Sequence, residues 1–230
     1  MPKFDLTKTQ ALVDLFSVPK QERGQEWRKR FYQAVPDATL VAFDPQVNKG
    51  PDQFPYFHHA IPEPGPLTPF CITHILDFAL DNGCGIAIFG DAGRSGAPEW
   101  VFRYGDLLAL RLCGDFDCGP APPVLAERLN QDRQVLICAP SAAYLPEYAR
   151  GALDRFARTV LQHPDPKVLM VATASPPLNY LMFNLTLDDY GGDEEKLQAA
   201  LGHIAWFLPA SYGVLAMPAD WDQSGFVPLA

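Results

Sequence analysis

Apolar positions recur along the chain with two periods, and the switches between them mark the elements. Leu12, Val13, Leu15 and Phe16 predict a short helix over residues 7–16, ended by Pro19. Trp27, Phe31 and Ala34 share one side of a second helix over residues 20–35, closed by Pro36. The two are expected to cover a sheet as a pair. In ATLVAFDP, residues 38–45, Leu40 and Ala42 alternate with Val41 and Phe43 as a strand. In residues 46–69, Pro51, Pro55, Pro62, Pro64, Pro66 and Pro69 bar a central strand over most of the segment, leaving PYFHHAI as an edge.

The stretch from Thr68 to Gly93 carries the clearest pattern of the first half. Thr68 suits an N-cap and Pro69 the first helical position, Ile72, Ile75, Leu76, Ala79 and Leu80 form one stripe, and Asn82-Gly83 is a left-handed stop. GIAIF is apolar on both faces and reads as an interior strand. A glycine-rich hairpin turn leads to WVFRYGD, where Trp100, Phe102 and Tyr104 alternate with Val101 and Arg103. Gly105-Asp106 caps a short helix over 107–112, and CGDFDCGPAPP, residues 113–123, is the best linker in the chain.

Beyond a short helix in VLAERLNQ, residues 134–218 read as strand, helix, two strands, helix, strand. The strands are QVLICAP, KVLMVATA, NYLMFNLTL and YGVLAM. The helices show the stripes Leu145, Tyr148, Ala149, Ala152, Leu153, Phe156, Val160 and Leu197, Ala200, Leu201, Ile204, Ala205, Leu208. WDQSGFVPLA is a tail. The expected class is α+β: a mixed N-terminal sheet with helices in residues 1–120, then a ferredoxin-like βαββαβ domain in 134–218.

Composition narrows the function classes. Eighteen basic against 27 acidic residues give a net charge of -9, a field that repels nucleic acid and anionic membranes. Arg23, Arg28, Lys29 and Arg30 alternate with Glu22 and Glu26 as on a solvated helix face. The start of the chain lacks an apolar signal segment and no apolar run is long enough for a membrane span, so a cytoplasmic protein is expected. The five cysteines, odd in number and mostly in apolar segments, are expected to be reduced.

Each cluster of chemically useful residues has a bland reading beside the functional one. The loop Gly90, Asp91, Ala92, Gly93, Arg94, Ser95, Gly96 lacks the Lys-Ser/Thr ending of a phosphate loop and precedes a strand, so it reads as a turn. His58 and His59 point to opposite faces of an extended chain, so at most one of them joins His74. No metal or cofactor follows from that spacing. Cys113 and Cys118 have the gap of a zinc half-site without a second half. Cys71 stands where a helix N-terminus lowers a thiol pKa, which makes Cys71 or Cys84, with His74 and Asp106 or Asp91, a candidate nucleophilic set. His58, His59, Asp91, Arg94, Trp100 and Arg103 compose a candidate recognition surface where the glycine loop meets the histidine edge.

LPEYARGALDRF, FNLTLDD and YGVLAMP resemble the C-terminal domain of the SseB-like (enhanced serine sensitivity) family, and FYQAVPDATLVAFDP is similar to its opening strand. Residues 46–69 depart from that pattern. The resemblance implies a cytoplasmic bacterial protein and hands over no catalytic residues. The leading expectation is a non-enzymatic interaction or regulatory module with a protein partner. Behind it stand a binder of a small ligand, amino acid or nucleotide, and a cysteine-dependent hydrolase or transferase.

Overall fold

The structure, a computed structural model, describes residues 5–63, 69–90, 96–122, 135–174 and 177–230. The chain forms two compact units, Met1–Leu107 and Leu108–Ala230, and is α+β as expected.

In the first unit Asp5 caps α1 (Leu6–Phe16), accepting from the amides of Thr7 and Lys8. The helix expected over 20–35 is shorter: α2 (Gln25–Ala34) starts after Gly24, and a 3-10 turn at Lys20–Glu22 precedes it. Arg23 makes that break by folding back, donating to the carbonyls of Val18 and Phe16. Its guanidinium also bonds Glu99 at 2.7 Å and lies 4.9 Å from the Trp27 ring centre.

The first sheet contains β1 (Leu40–Lys49), β2 (Pro55–Ala60), β3 (Pro69–Phe70), β4 (Gly85–Phe89) and β5 (Trp100–Phe102), in the order β3-β1-β2-β4-β5. Three expectations are corrected here. PYFHHAI is interior, paired with β1 on one side and β4 on the other, because Pro55 occupies only the first position and leaves the next five residues free to pair. β1 runs on through Pro45, with a register shift between Ala42 and Val47 that absorbs the proline. Pro69 lies in β3 opposite Val41, which keeps the backbone extended through Cys71, so Cys71 and not Thr68 is the N-cap of α3 (Ile72–Asp81). Gly83, at φ +70°, ends that helix as its sequence demands. GIAIF is buried throughout, and Trp100–Phe102 returns antiparallel to it as the hairpin reading required.

The division between the units falls inside α4 (Tyr104–Cys113). The second unit has β6 (Val135–Cys138), α5 (Glu147–Thr159), β7 (Lys167–Ala174), β8 (Pro177–Phe183), α6 (Glu194–Trp206), β9 (Gly213–Ala216) and β10 (Val227–Pro228). The βαββαβ order is present, but the strands pair in sequence order: β6 with β7, β7 with β8, β8 with β9. A ferredoxin-like split unit would place another strand between β6 and β7. Here those two are antiparallel neighbours, so that part of the expectation is corrected. The expected tail is also structural. β10 pairs with Val168 and Lys167 beside β6 on one edge of β7, and Phe226 and Trp221 join the core of Leu169, Val171, Tyr180, Met182 and Met217. Asn184 fastens the β7–β8 hairpin, accepting from the amide of Lys167 and donating to the carbonyl of Asp165. The helix expected in VLAERLNQ lies outside the described residues.

Both units repeat one arrangement. A helix (α2 or α5) precedes an antiparallel hairpin (β1–β2 or β7–β8), and a second helix (α3 or α6) then crosses to a strand parallel to the hairpin's second strand (β4 or β9).

Cys113 and Cys118 are bonded to each other, with their Cα atoms 6.0 Å apart, which corrects the expectation of five reduced thiols. Cys71, Cys84 and Cys138 lie outside that disulfide and keep their thiols. Among the described residues no helix is long and apolar enough to cross a membrane.

Candidate functional site

β2 separates its two histidines. His59 shares a face with Phe57 and, across the ladder, with Ala42 of β1. His58 looks the other way, its ring 5.1 Å from that of Phe89 and 6.3 Å from that of Phe43.

On the His59 face, β3 and α3 enclose a pocket of about 310 Å³ lined by Ala42, Gln46, Phe57, His59, Phe70, His74, Ile75 and Phe78. α3 presents this wall because its other side is committed to the core: Ile72, Leu76, Ala79 and Leu80 are buried, which leaves His74 and Phe78, one helical turn apart, along the open border. Phe70 stands between the histidines, with ring centres 6.1 Å from His59 and 6.5 Å from His74. Phe57 contacts Phe78 at 5.4 Å. Phe78 is 57% exposed and forms the lip; His59 is 2% exposed and forms the floor.

The floor histidine is chemically unusual. Burial strips water from its ring and holds its pKa down to about 4; the Phe57 backbone opposes this, and the charge of His58 adds to it. Its Nδ1 is buried without a hydrogen-bond partner of normal geometry. The pocket therefore has a neutral imidazole on its floor, and none of its eight lining residues is Asp, Glu, Lys or Arg.

The expected sets separate. Of the candidate nucleophilic set, His74 lines the pocket and Cys71 and Asp106 do not. Cys71 is buried, and burial pushes its thiol up, opposite to the effect expected from a helix N-terminus; the backbone amide of His74 opposes the rise and the Asp37 carboxylate adds to it. Asp106 is engaged locally, accepting from the Arg103 amide at 2.8 Å and pairing with its guanidinium at 2.9 Å. Cys84 is buried where β4 begins.

The recognition set separates too. Trp100 shares the sheet face of His59, but Ile88 stands between them in the ladder. Its ring is committed to α2, 4.9 Å from Phe31 and 5.6 Å from Trp27. Asp91 and Arg94 lie outside the described residues. What survives is the pairing of one β2 histidine with His74. The aromatic lining was missed, although the spacing Phe57–His59 on a strand and His74–Phe78 on a helix was there to be read. Gln46 gave no signal, since its position depends on β1 continuing past Pro45.

Among the described residues no three His, Cys, Asp or Glu side chains gather as a metal site. Compared with known proteins, the chain matches no family model, no curated protein and no solved structure.

Proposed function

We propose that the protein is a non-enzymatic recognition module whose first unit holds a small ligand in the pocket between β2 and α3. The observation that carries this reading is the pocket itself: an aromatic wall of Phe57, Phe70 and Phe78 around a buried polar side chain, His59, at the size where ligand sites begin. The cysteine-dependent alternative draws no support from a buried Cys71 whose thiol is pushed up and an Asp106 paired with Arg103.

Thermal unfolding of the full chain with a mixed metabolite panel tests the reading. A ligand present at a hundred times its dissociation constant adds about 2.7 kcal/mol of apparent stability. We expect at least one compound to raise the midpoint, and Phe78→Ala at the exposed lip to remove that rise. A flat response across the panel overturns the ligand reading.

A second observation favours a protein partner. β6 exposes Leu136 (65%) and Ile137 (51%) with Cys138 beside them, and an apolar edge strand invites pairing by another chain. Ile137→Lys is the test, with binding or self-association by light scattering as readout. SseB-like membership belongs to the same proposal and rests on LPEYARGALDRF, FNLTLDD and YGVLAMP alone. So does residence in the cytoplasm, which the Cys113–Cys118 bond weighs against.

A further inference from the structure

The lining of the pocket restricts what can enter it. A carboxylate, phosphate or ammonium group placed at the floor beside His59 would lose its hydration with no countercharge among the lining residues, a cost of several kcal/mol for an ion taken out of water. Free amino acids and nucleotides both carry such groups, so the ligand chemistry expected from the sequence does not suit this site. The ring faces of Phe57, Phe70 and Phe78 favour a flat partner packed offset or edge-on. One polar demand is at best partly met: His59 is 2% exposed and its Nδ1 is buried with no hydrogen-bond partner of normal geometry, although the Phe57 backbone acts on the ring. A purely apolar guest would leave that atom unsatisfied, whereas a guest with one hydrogen-bonding group would relieve it.

Resting on the ligand reading above, we propose that the pocket takes an uncharged aromatic ring system bearing a single N–H or O–H group, which His59 hydrogen-bonds while the three phenylalanines pack against the ring. The class includes phenols and indoles. Gln46 and His74 also line the pocket.

The test uses the full chain and four probes: phenol, toluene, indole and zwitterionic tryptophan, each titrated while the resonances of the pocket aromatics are followed by NMR. Phenol is expected to bind about tenfold more tightly than toluene, the free energy of one net hydrogen bond. Indole is expected to bind at least tenfold more tightly than tryptophan. His59→Phe, which keeps a ring on the floor, is expected to erase the preference for phenol while toluene still binds. Phe78→Ala, at a position 57% exposed, is expected to weaken every ring. Equal binding of phenol and toluene, or a phenol preference that survives in His59→Phe, overturns the assignment of His59 while leaving the pocket. Tighter binding of tryptophan than of indole overturns the requirement for an uncharged guest. If no probe perturbs Phe57, Phe70 or Phe78, the pocket reading itself is wrong.

Discussion

Tyr180 pairs with Gly213 across the parallel ladder of β8 and β9, and its ring fills the space where a side chain at 213 would stand. Tyr56 and Gly85 repeat the relationship in the first unit, again at the first pair of the parallel ladder between the hairpin's second strand and the crossover strand. Each crossover strand thus opens on a glycine so that an aromatic ring can lie flat against its backbone. Glycine is otherwise a poor strand residue, and here a close approach explains it.

Adding a methyl group at either glycine is expected to destabilise the fold by about 1–3 kcal/mol, the usual effect of overpacking a core. The two sites should differ when the tyrosine is also trimmed. At 213 the obstruction is the Tyr180 ring, with Pro122 at 3.0 Å behind it; at 85 the Phe102 backbone carbonyl, 2.5 Å from the added carbon, remains after the ring is gone. In urea denaturation, Tyr180→Leu should relieve most of the penalty of Gly213→Ala, and Tyr56→Leu only part of that of Gly85→Ala. Equal relief at both sites would contradict the close backbone contact at 85.

Arg23 ties the end of α1 to the start of β5. Its side chain is only 8% exposed and bonds the carbonyls of Phe16 and Val18 and the Glu99 carboxylate. Removing one partner of a buried pair strands the other charge, so Arg23→Ala should cost about 3 kcal/mol. Arg23→Lys should lose most of that, because an ammonium cannot reproduce the planar fork that meets Glu99 and stacks over Trp27. Denaturation midpoints of the two variants check this; a lysine variant as stable as wild type would mean that charge alone suffices.

His59 makes stability depend on pH in a definite direction. Its folded pKa, about 4, lies below the ordinary 6.5, so the folded state favours the neutral ring. The contribution is fully present above pH 6.5 and is lost as pH falls from there toward about 4, reaching about 3 kcal/mol when both states have titrated. His58 on the same strand and His74 across the pocket remain in the comparison variant His59→Phe, so the difference in slope between the two proteins reports His59 together with its coupling to His58. Unfolding free energies measured from pH 7 down to pH 4.5 should fall more steeply for wild type; parallel curves would place His59 in water.

What could be read from the chain depended on how locally each feature is specified. The stripe Ile72, Leu76, Ala79, Leu80 and the doubly apolar GIAIF announced a helix and an interior strand because their own periodicity decides them. The interior place of PYFHHAI was hidden, since the prolines around it mimic an edge and only the partner strands reveal that Pro55 stands at the harmless first position. Strand order in the second unit was equally hidden: βαββαβ is compatible with split and sequential pairing, and long-range register chooses between them. Of the site, the opposite directions of His58 and His59 came from strand geometry. The Phe70 wall did not, because it needs Pro69 to lie in β3 and not at the start of a helix.

The cysteines test several of these assignments together. Cys138 lies exposed on β6, Cys71 and Cys84 are buried, and Cys113 and Cys118 are joined. Burial also pushes the Cys71 thiol up, so it holds even less thiolate near neutrality than an ordinary cysteine. Under native conditions without reductant, iodoacetamide followed by peptide mass spectrometry should mark Cys138 first, with Cys71 and Cys84 reacting only on the timescale of unfolding. Denaturing the protein without reductant should open three thiols, and adding reductant should raise the number to all five. Rapid, pH-dependent labelling of native Cys71 would return the nucleophilic reading to consideration. Five reactive thiols in the unreduced, denatured chain would remove the Cys113–Cys118 bond, and with it the observation that weighs against a reducing compartment.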